Sequence, residues 1–356
     1  MADRPFTIVA YIDGPGLGDV MACSTNAAIV KRSVPGALLI ACVVPRAELY
    51  AEALLLNPDI DYVAMADDEV AVSDLMDAHY APAGYMPDWV RQAFMKPNLV
   101  LIPNMLDFVM PVAEGAVLRV PDWYETEARE TLVGLGLDPE NWFACLHVRE
   151  DGYRRERTHP RSVRDIAPYA TLIDHIIDEL GGQVVRIGDP TMSPIPPRAG
   201  MVDLGRRGTS YLTQCFALGA ARFMVGTDSG PSSWCFMFNT PLAFTNKFTE
   251  VIFAPSIHVC ATKTFVLPDG TRLSGRAAAE SGHMVEAKWP GSGIELIETA
   301  AADMIKAVDW LHVQTEDSEP WAAKNQMPVR ERDLSAVAMG KTPHPFAAAT
   351  FLEDVS

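Results

Sequence analysis

The chain has 356 residues, is 49% apolar and carries a formal net charge of −17. That length is long for one hydrophobic core, so two domains are expected, and so negative a field excludes nucleic acid and anionic membrane as partner surfaces. There is no apolar run of membrane-spanning length, no signal-like segment before the first strand, and no C-x-x-C pair among six scattered cysteines; a cytoplasmic protein with free thiols, no transmembrane segment and no zinc or redox site is expected.

Residues 6–12 read as a buried strand and 20–31 as a helix. Between them lies Asp13-Gly14-Pro15-Gly16-Leu17-Gly18-Asp19. Its glycines do not have the G-x-G-x-x-G spacing, and no Gly-Lys-Ser/Thr follows, so neither nucleotide fingerprint applies. A glycine-rich turn still lets another molecule approach the backbone closely. Asp19 falls at or near the helix start, where capping is the commoner role. Further strands are expected at 37–44, 62–65 and 99–102, with a helix at 47–56. This alternation specifies βαβ units and a parallel sheet covered on both faces. Asp59-Ile60-Asp61 follows Asn57-Pro58 and reads as a turn rather than a metal site. A helix from 125 to 133, stopped by Gly134 or Gly136, leads to a second alternation. The domains are accordingly bounded at 1–138 and 139–312, with an irregular tail at 313–356 packing back on the body.

In the second half, strands are expected at 142–148, 183–187, 201–204 and 222–225, with helices at 166–180, 211–220 and 294–311. Gly226-Thr227-Asp228-Ser229-Gly230-Pro231-Ser232-Ser233 follows the 222–225 strand and feeds an apolar helix. Small residues at a helix N-terminus offer backbone N–H groups and a positive dipole end, which suits a phosphate; the bland alternative is a tight turn. Arg149 sits at a strand end, two residues after His147, where ligands of parallel sheets bind. It can hold a pyrophosphate bidentately and stabilise its departure. The run Arg154, Arg155 and Arg157 reads as a solvated loop offset by nearby acids. Arg186, at another strand end, is either a ligand contact or the partner of an acid such as Asp189. No H-E-x-x-H and no G-x-S-x-G is present.

Taken in order, these motifs resemble those of GT-B-fold glycosyltransferases, especially the ADP-heptose:lipopolysaccharide heptosyltransferase-like group. The resemblance rests on Gly16-Leu17-Gly18-Asp19-Val20, Pro35-Gly36-Ala37, Asn57-Pro58-Asp59-Ile60-Asp61-Tyr62-Val63 and Asp228-Ser229-Gly230-Pro231, and spans roughly residues 5–250. Leu146-His147-Val148-Arg149 with Val185-Arg186-Ile187-Gly188 is similar to a further group of bacterial glycosyltransferases. The His-x-Arg also resembles fucosyltransferases that use GDP-fucose. The resemblance implies an α/β chain of two Rossmann-like domains with a cleft between them, and a cytoplasmic enzyme of bacterial glycan biosynthesis. It implies inverting, metal-independent transfer with no cofactor, from a GDP-, ADP- or UDP-linked sugar to a glycan, lipid-linked or small-molecule acceptor.

The resemblance also assigns roles. Asp19 becomes the general base, on an acceptor-side loop with Asp13, Gly16 and Gly18. Arg149 assists the leaving diphosphate. His147, Arg186, Thr227, Asp228, Ser229, Gly230 and Ser232 surround the nucleotide. Heptosyltransferases place a lysine where this chain has Arg and His, so hexosyl, heptosyl and fucosyl transfer stay open. Two rival expectations are a nucleotide-sugar epimerase on the same fold and a catalytically silent binding protein.

Overall fold

The structure, a computed structural model, describes residues 4–14, 16–66, 80–82, 88–103, 118–150, 159–238, 240–249, 257–284, 289, 291–316, 321 and 350–355. The basic run at 154–157 and most of the tail lie outside these residues. The chain divides between Asp122 and Trp123 into two compact units.

In the first unit, apolar runs of six residues are buried along their whole length, as strands covered on both faces must be. They are β1 (Thr7–Ile12) and β2 (Leu38–Val43). With β3 (Tyr62–Ala66), β4 (Tyr80–Pro82) and β5 (Leu99–Leu101) they form a sheet of order β4-β3-β2-β1-β5. All pairs are parallel except β3 with β4. The helix α1 (Leu17–Arg32) crosses from β1 to β2, and α2 (Asp88–Met95) precedes β5. The expected helix at 47–56 is instead a run of 3-10 turns, Pro45–Leu56. The carboxylates of the D-x-D are ion-paired at 2.6 Å, Asp59 with Arg32 and Asp61 with Lys31, which makes them a structural turn.

The helix α3 (Asp122–Gly134) belongs with the second unit. Its Tyr124 hydroxyl lies 2.8 Å from Ser210 Oγ and 2.7 Å from Thr213 Oγ1, at the start of α5 (Tyr211–Ala220). Gly136, at φ 100, follows this helix. The second sheet contains β6 (Phe143–His147), β7 (Gln183–Arg186), β8 (Met201–Asp203), β9 (Phe223–Gly226), β10 (Leu242–Lys247) and β11 (His258–Thr262), in the order β11-β10-β9-β6-β7-β8. Every pair in it is parallel. The helix expected at 166–180 is α4 (Ala167–Asp174), continued by a wider π turn at His175–Glu179. The helix α6 (Gly230–Phe238) joins β9 to β10.

A small antiparallel sheet follows, with β12 (Thr264–Val266) between β13 (Arg272–Leu273) and β14 (Glu295–Ile297), and the helix α7 (Gly275–Glu280) comes after β13. The final helix was expected from 294. Residues 295–297 pair with β12 instead, so α8 spans Ala301–Gln314. One core of buried side chains joins the strands to α4 and α8: Leu146, Val184, Phe223, Val225, Tyr169, Leu172, Met304 and Leu311 are among them. The described tail residues lie on this unit. Trp321 is buried and donates its indole N–H to the Asp138 carbonyl at 2.8 Å. Phe351 forms a bridge with Cys260 of β11, and Asp354 pairs with Arg276. All six cysteines are buried free thiols. Among the described residues, no helix is long and apolar enough to cross a membrane.

Candidate functional site

In the first unit β1 lies between β2, which it reaches through α1, and β5, which the chain enters only after β4 and α2, so the strand order reverses beside β1. Open α/β sheets bind ligands beyond the carboxyl end of such a strand. Asp13 and Gly14 stand there. The helix cap is Gly16, at φ −137 and ψ 158, with no side-chain cap. Asp19 is therefore not the cap; it is the third residue of α1, where a carboxylate faces the positive end of the dipole. A Cβ on Gly14 would lie 2.6 Å from Asp19 Cβ, and one on Gly16 would lie 3.0 Å from Asp19 Oδ2. The Asp19 side chain thus folds back over the turn, into space that the glycines leave. Asp13, Gly16, Gly18 and Asp19 are all half-buried.

The second sheet, counted from β6, has the order 3-2-1-4-5-6, with its reversal between β6 and β9. Register places His147 opposite Gly226 at that point. The two following turns are joined there. Thr227 donates its N–H to the His147 carbonyl at 3.1 Å, and its Oγ1 accepts the Arg149 N–H at 2.7 Å. Gly226 has no alternative, because a Cβ on it would stand 2.8 Å from the His147 carbonyl oxygen. Gly226→Ala should force the ends of β6 and β9 apart and cost about 1–3 kcal/mol of stability, read by denaturant unfolding; a midpoint unchanged from wild type would refute this packing.

The remaining side chains divide into inward and outward groups. Ser232 is buried and gives its hydroxyl to the Ser229 carbonyl at 2.6 Å. Thr227 is sealed completely. Ser229, Gly230 and Pro231 are half-buried at the head of α6 and form the outer part of the turn. Asp228 points inward to a residue that the motif reading missed: Lys247, at the end of β10, puts Nζ 2.8 Å from Asp228 Oδ2. Burial pushes the Asp228 carboxyl up. The Lys247 ammonium, hydrogen bonds from Lys247 and Thr249 and the charge of Arg161 outweigh that and hold it below the usual carboxylate range. A lysine closing the short run that follows Leu242-Ala243-Phe244 is the available signal, since a buried ammonium demands a partner.

Arg186 belongs to the protein interior. Its guanidinium is fully buried and reaches Glu150 Oε1 at 2.8 Å, Asp203 Oδ2 at 3.1 Å and the Ser193 carbonyl at 2.7 Å. Register explains the second pair, because β7 sets Arg186 opposite Asp203. The ion-pair alternative therefore describes this residue, with Glu150 and Asp203 in place of Asp189. Arg149 is half-buried at the strand end. His147 faces the Ile187 carbonyl through Nδ1 at 3.2 Å. Burial, with the Arg186 and Arg149 charges, pulls its pKa down to about 4 against the effect of that hydrogen bond. The ring is thus neutral at pH 7, and a proton on Nδ1 leaves Nε2 as an acceptor.

No protein-family model matches the sequence, and no curated protein does. Solved structures do match. A family 9 glycosyl transferase from Veillonella parvula is 13% identical, with 88% of this chain and 99% of that one covered and a TM-score of 0.54. The ADP-heptose lipopolysaccharide heptosyltransferase II of E. coli is also 13% identical, with 88% and 100% covered and a TM-score of 0.50. Likeness at that identity shows fold: two Rossmann-like α/β units, as in GT-B glycosyltransferases.

Proposed function

We propose that this chain is a glycosyltransferase that moves a sugar from a nucleotide-diphosphate sugar to an acceptor hydroxyl. One observation carries the reading: in each unit, the small-residue turn singled out in the sequence stands at the carboxyl end of the strand where the sheet order reverses. The second unit's turn also heads a helix and is tied to the strand end that bears His147 and Arg149. A diphosphate at Ser229 and Gly230 would meet the Gly230 N–H, the helix dipole and the Arg149 guanidinium. Asp19 would take the acceptor hydroxyl proton as the oxygen attacks the anomeric carbon and the nucleoside diphosphate leaves, an inverting transfer that requires no metal in this scheme. The donor is a GDP-, ADP- or UDP-linked hexose, heptose or fucose, and the setting is bacterial glycan biosynthesis in the cytoplasm.

A thermal-shift panel over ADP-, GDP-, UDP- and CMP-sugars tests the reading, because a ligand raises the melting temperature in proportion to ln(1 + [L]/Kd). Stabilisation by an ADP-, GDP- or UDP-sugar is the expected result, and stabilisation by none of these three removes the proposal. Donor consumption with and without acceptor extracts then separates transfer from epimerisation and from silent binding. Arg149→Lys should weaken that nucleotide's affinity by about tenfold and leave the melting temperature unchanged, because a bidentate fork becomes a point charge. Calorimetry that finds wild-type affinity would remove Arg149 from the phosphate site.

A further inference from the structure

The carboxyl end of β10 carries a buried cation for which the proposed transfer has no role. Between Phe244 and Lys247 the register of β10 against β11 shifts by an extra residue, and Asn246 sits at φ 54, an uncommon conformation for a residue with a side chain. The irregularity is pinned from two sides. Asn246 Nδ2 donates to Tyr169 Oη at 3.0 Å, while its Oδ1 accepts the Thr299 N–H at 2.8 Å and its own N–H donates to Thr299 Oγ1 at 3.1 Å. A bulge re-aims the side chains beside it, and here Lys247 reaches the turn after β9. Its Nζ is 2.8 Å from Asp228 Oδ2 and 3.0 Å from Thr249 Oγ1.

All the donors to Asp228 converge on one oxygen. Lys247 Nζ, Thr249 N–H at 3.3 Å and Thr249 Oγ1 all meet Oδ2. Among the described residues none donates to Oδ1. The Asp228 side chain keeps 12% of its exposure and Lys247 keeps none. Lys247 therefore cannot touch a ligand, whereas Asp228 lies immediately before the outward part of the turn. A lone carboxylate there would repel a diphosphate approaching Ser229 and Gly230. An ion pair this buried is seldom worth more to stability than an apolar pair of the same shape, so stability alone does not account for it.

We propose that Lys247 is a positioning residue of the nucleotide site: through the bulge of β10 it cancels the charge of Asp228 and fixes its orientation, so that the turn accepts an anionic diphosphate. The inference rests on the glycosyltransferase reading and adds to it a residue that acts without contacting substrate.

The test compares wild type, Lys247→Met and the double variant Lys247→Met with Asp228→Asn. Affinities for ADP, GDP and UDP are measured by calorimetry, and those for adenosine, guanosine and uridine by competition against the diphosphate that binds. In Lys247→Met that diphosphate should lose on the order of tenfold or more, while its nucleoside changes by less than about twofold. The double variant should recover most of the loss, because the unbalanced charge is gone. Equal losses for nucleoside and diphosphate, or no recovery in the double variant, overturn the inference and leave the glycosyltransferase reading standing. Should Lys247→Met fail to fold, Asp228→Asn with Lys247 intact carries the test. It adds net positive charge to the turn and should tighten the diphosphate and not the nucleoside; unchanged or weaker diphosphate binding overturns the inference. If none of the three diphosphates binds wild type, the glycosyltransferase reading fails and the inference falls with it.

Discussion

Asp19→Asn should leave the protein folded and the donor bound, yet reduce transfer by roughly two to four orders of magnitude. Capping can be set aside as the reason for an acid here, because Gly16 occupies the cap and Asp19 lies further into the first turn. What the substitution removes from stability is the attraction between a carboxylate and the helix dipole, about 0.3–1 kcal/mol. The amide keeps the size and direction of the side chain, so the space left by Gly14 and Gly16 remains filled in the same way. Initial rates with the donor identified by thermal shift, set beside that donor's dissociation constant, separate chemistry from binding. Transfer within a few-fold of wild type would clear Asp19 of the role and make Asp13 the next residue to replace.

Arg186→Met should do the reverse, with a large loss of stability that reaches ligand binding only through the fold. The substitution leaves Glu150 and Asp203 without the buried countercharge that both of them contact. Breaking a buried pair from one side costs about 3–5 kcal/mol. In a unit of this size that lowers the melting temperature by on the order of 10 °C. The Ser193 carbonyl also loses its donor, and Glu150 loses the partner that aligns it with the Ser193 N–H at 2.8 Å. Scanning calorimetry, combined with nucleotide affinity measured well below the transition, decides between a structural and a ligand role. A normal melting temperature with weakened nucleotide binding would return Arg186 to the ligand shell.

The contrast between these two residues shows what the sequence could reveal. The turns at 13–19 and 226–233 were legible because glycine and small residues mark a turn locally, whatever lies around them. The strands that carry them were legible as apolar runs, and β1, β2, β6 and β9 fall where the pattern put them. The partners of charged side chains were not. Arg186 meets Glu150 and Asp203 across 36 and 17 residues, and Lys247 meets Asp228 across 19; strand register sets Arg186 against Asp203, while the turns after β6 and β9 bring in Glu150 and Asp228. At residues 295–297 the apolar pattern runs on into that of the following helix; their pairing with β12, about thirty residues earlier, decides for a strand. β4 is illegible in the sequence for a related reason, since three residues ending in proline carry almost no periodic signal.

The bridge between Phe351 and Cys260 has a consequence for association. β11 is the outermost strand on its side of the large sheet, and such an edge offers open backbone donors and acceptors to any other chain. Here the Cys260 N–H is taken by the Thr350 carbonyl at 2.8 Å, Phe351 is buried beside it, and the Arg276 guanidinium lies 5.1 Å above the phenyl ring. Residues 350–355 thus serve as a guard rail along this border. A chain shortened before Thr350 would keep its sheet but free the Cys260 N–H and uncover the surface on which Phe351 lies, and its first fault would be self-association rather than unfolding.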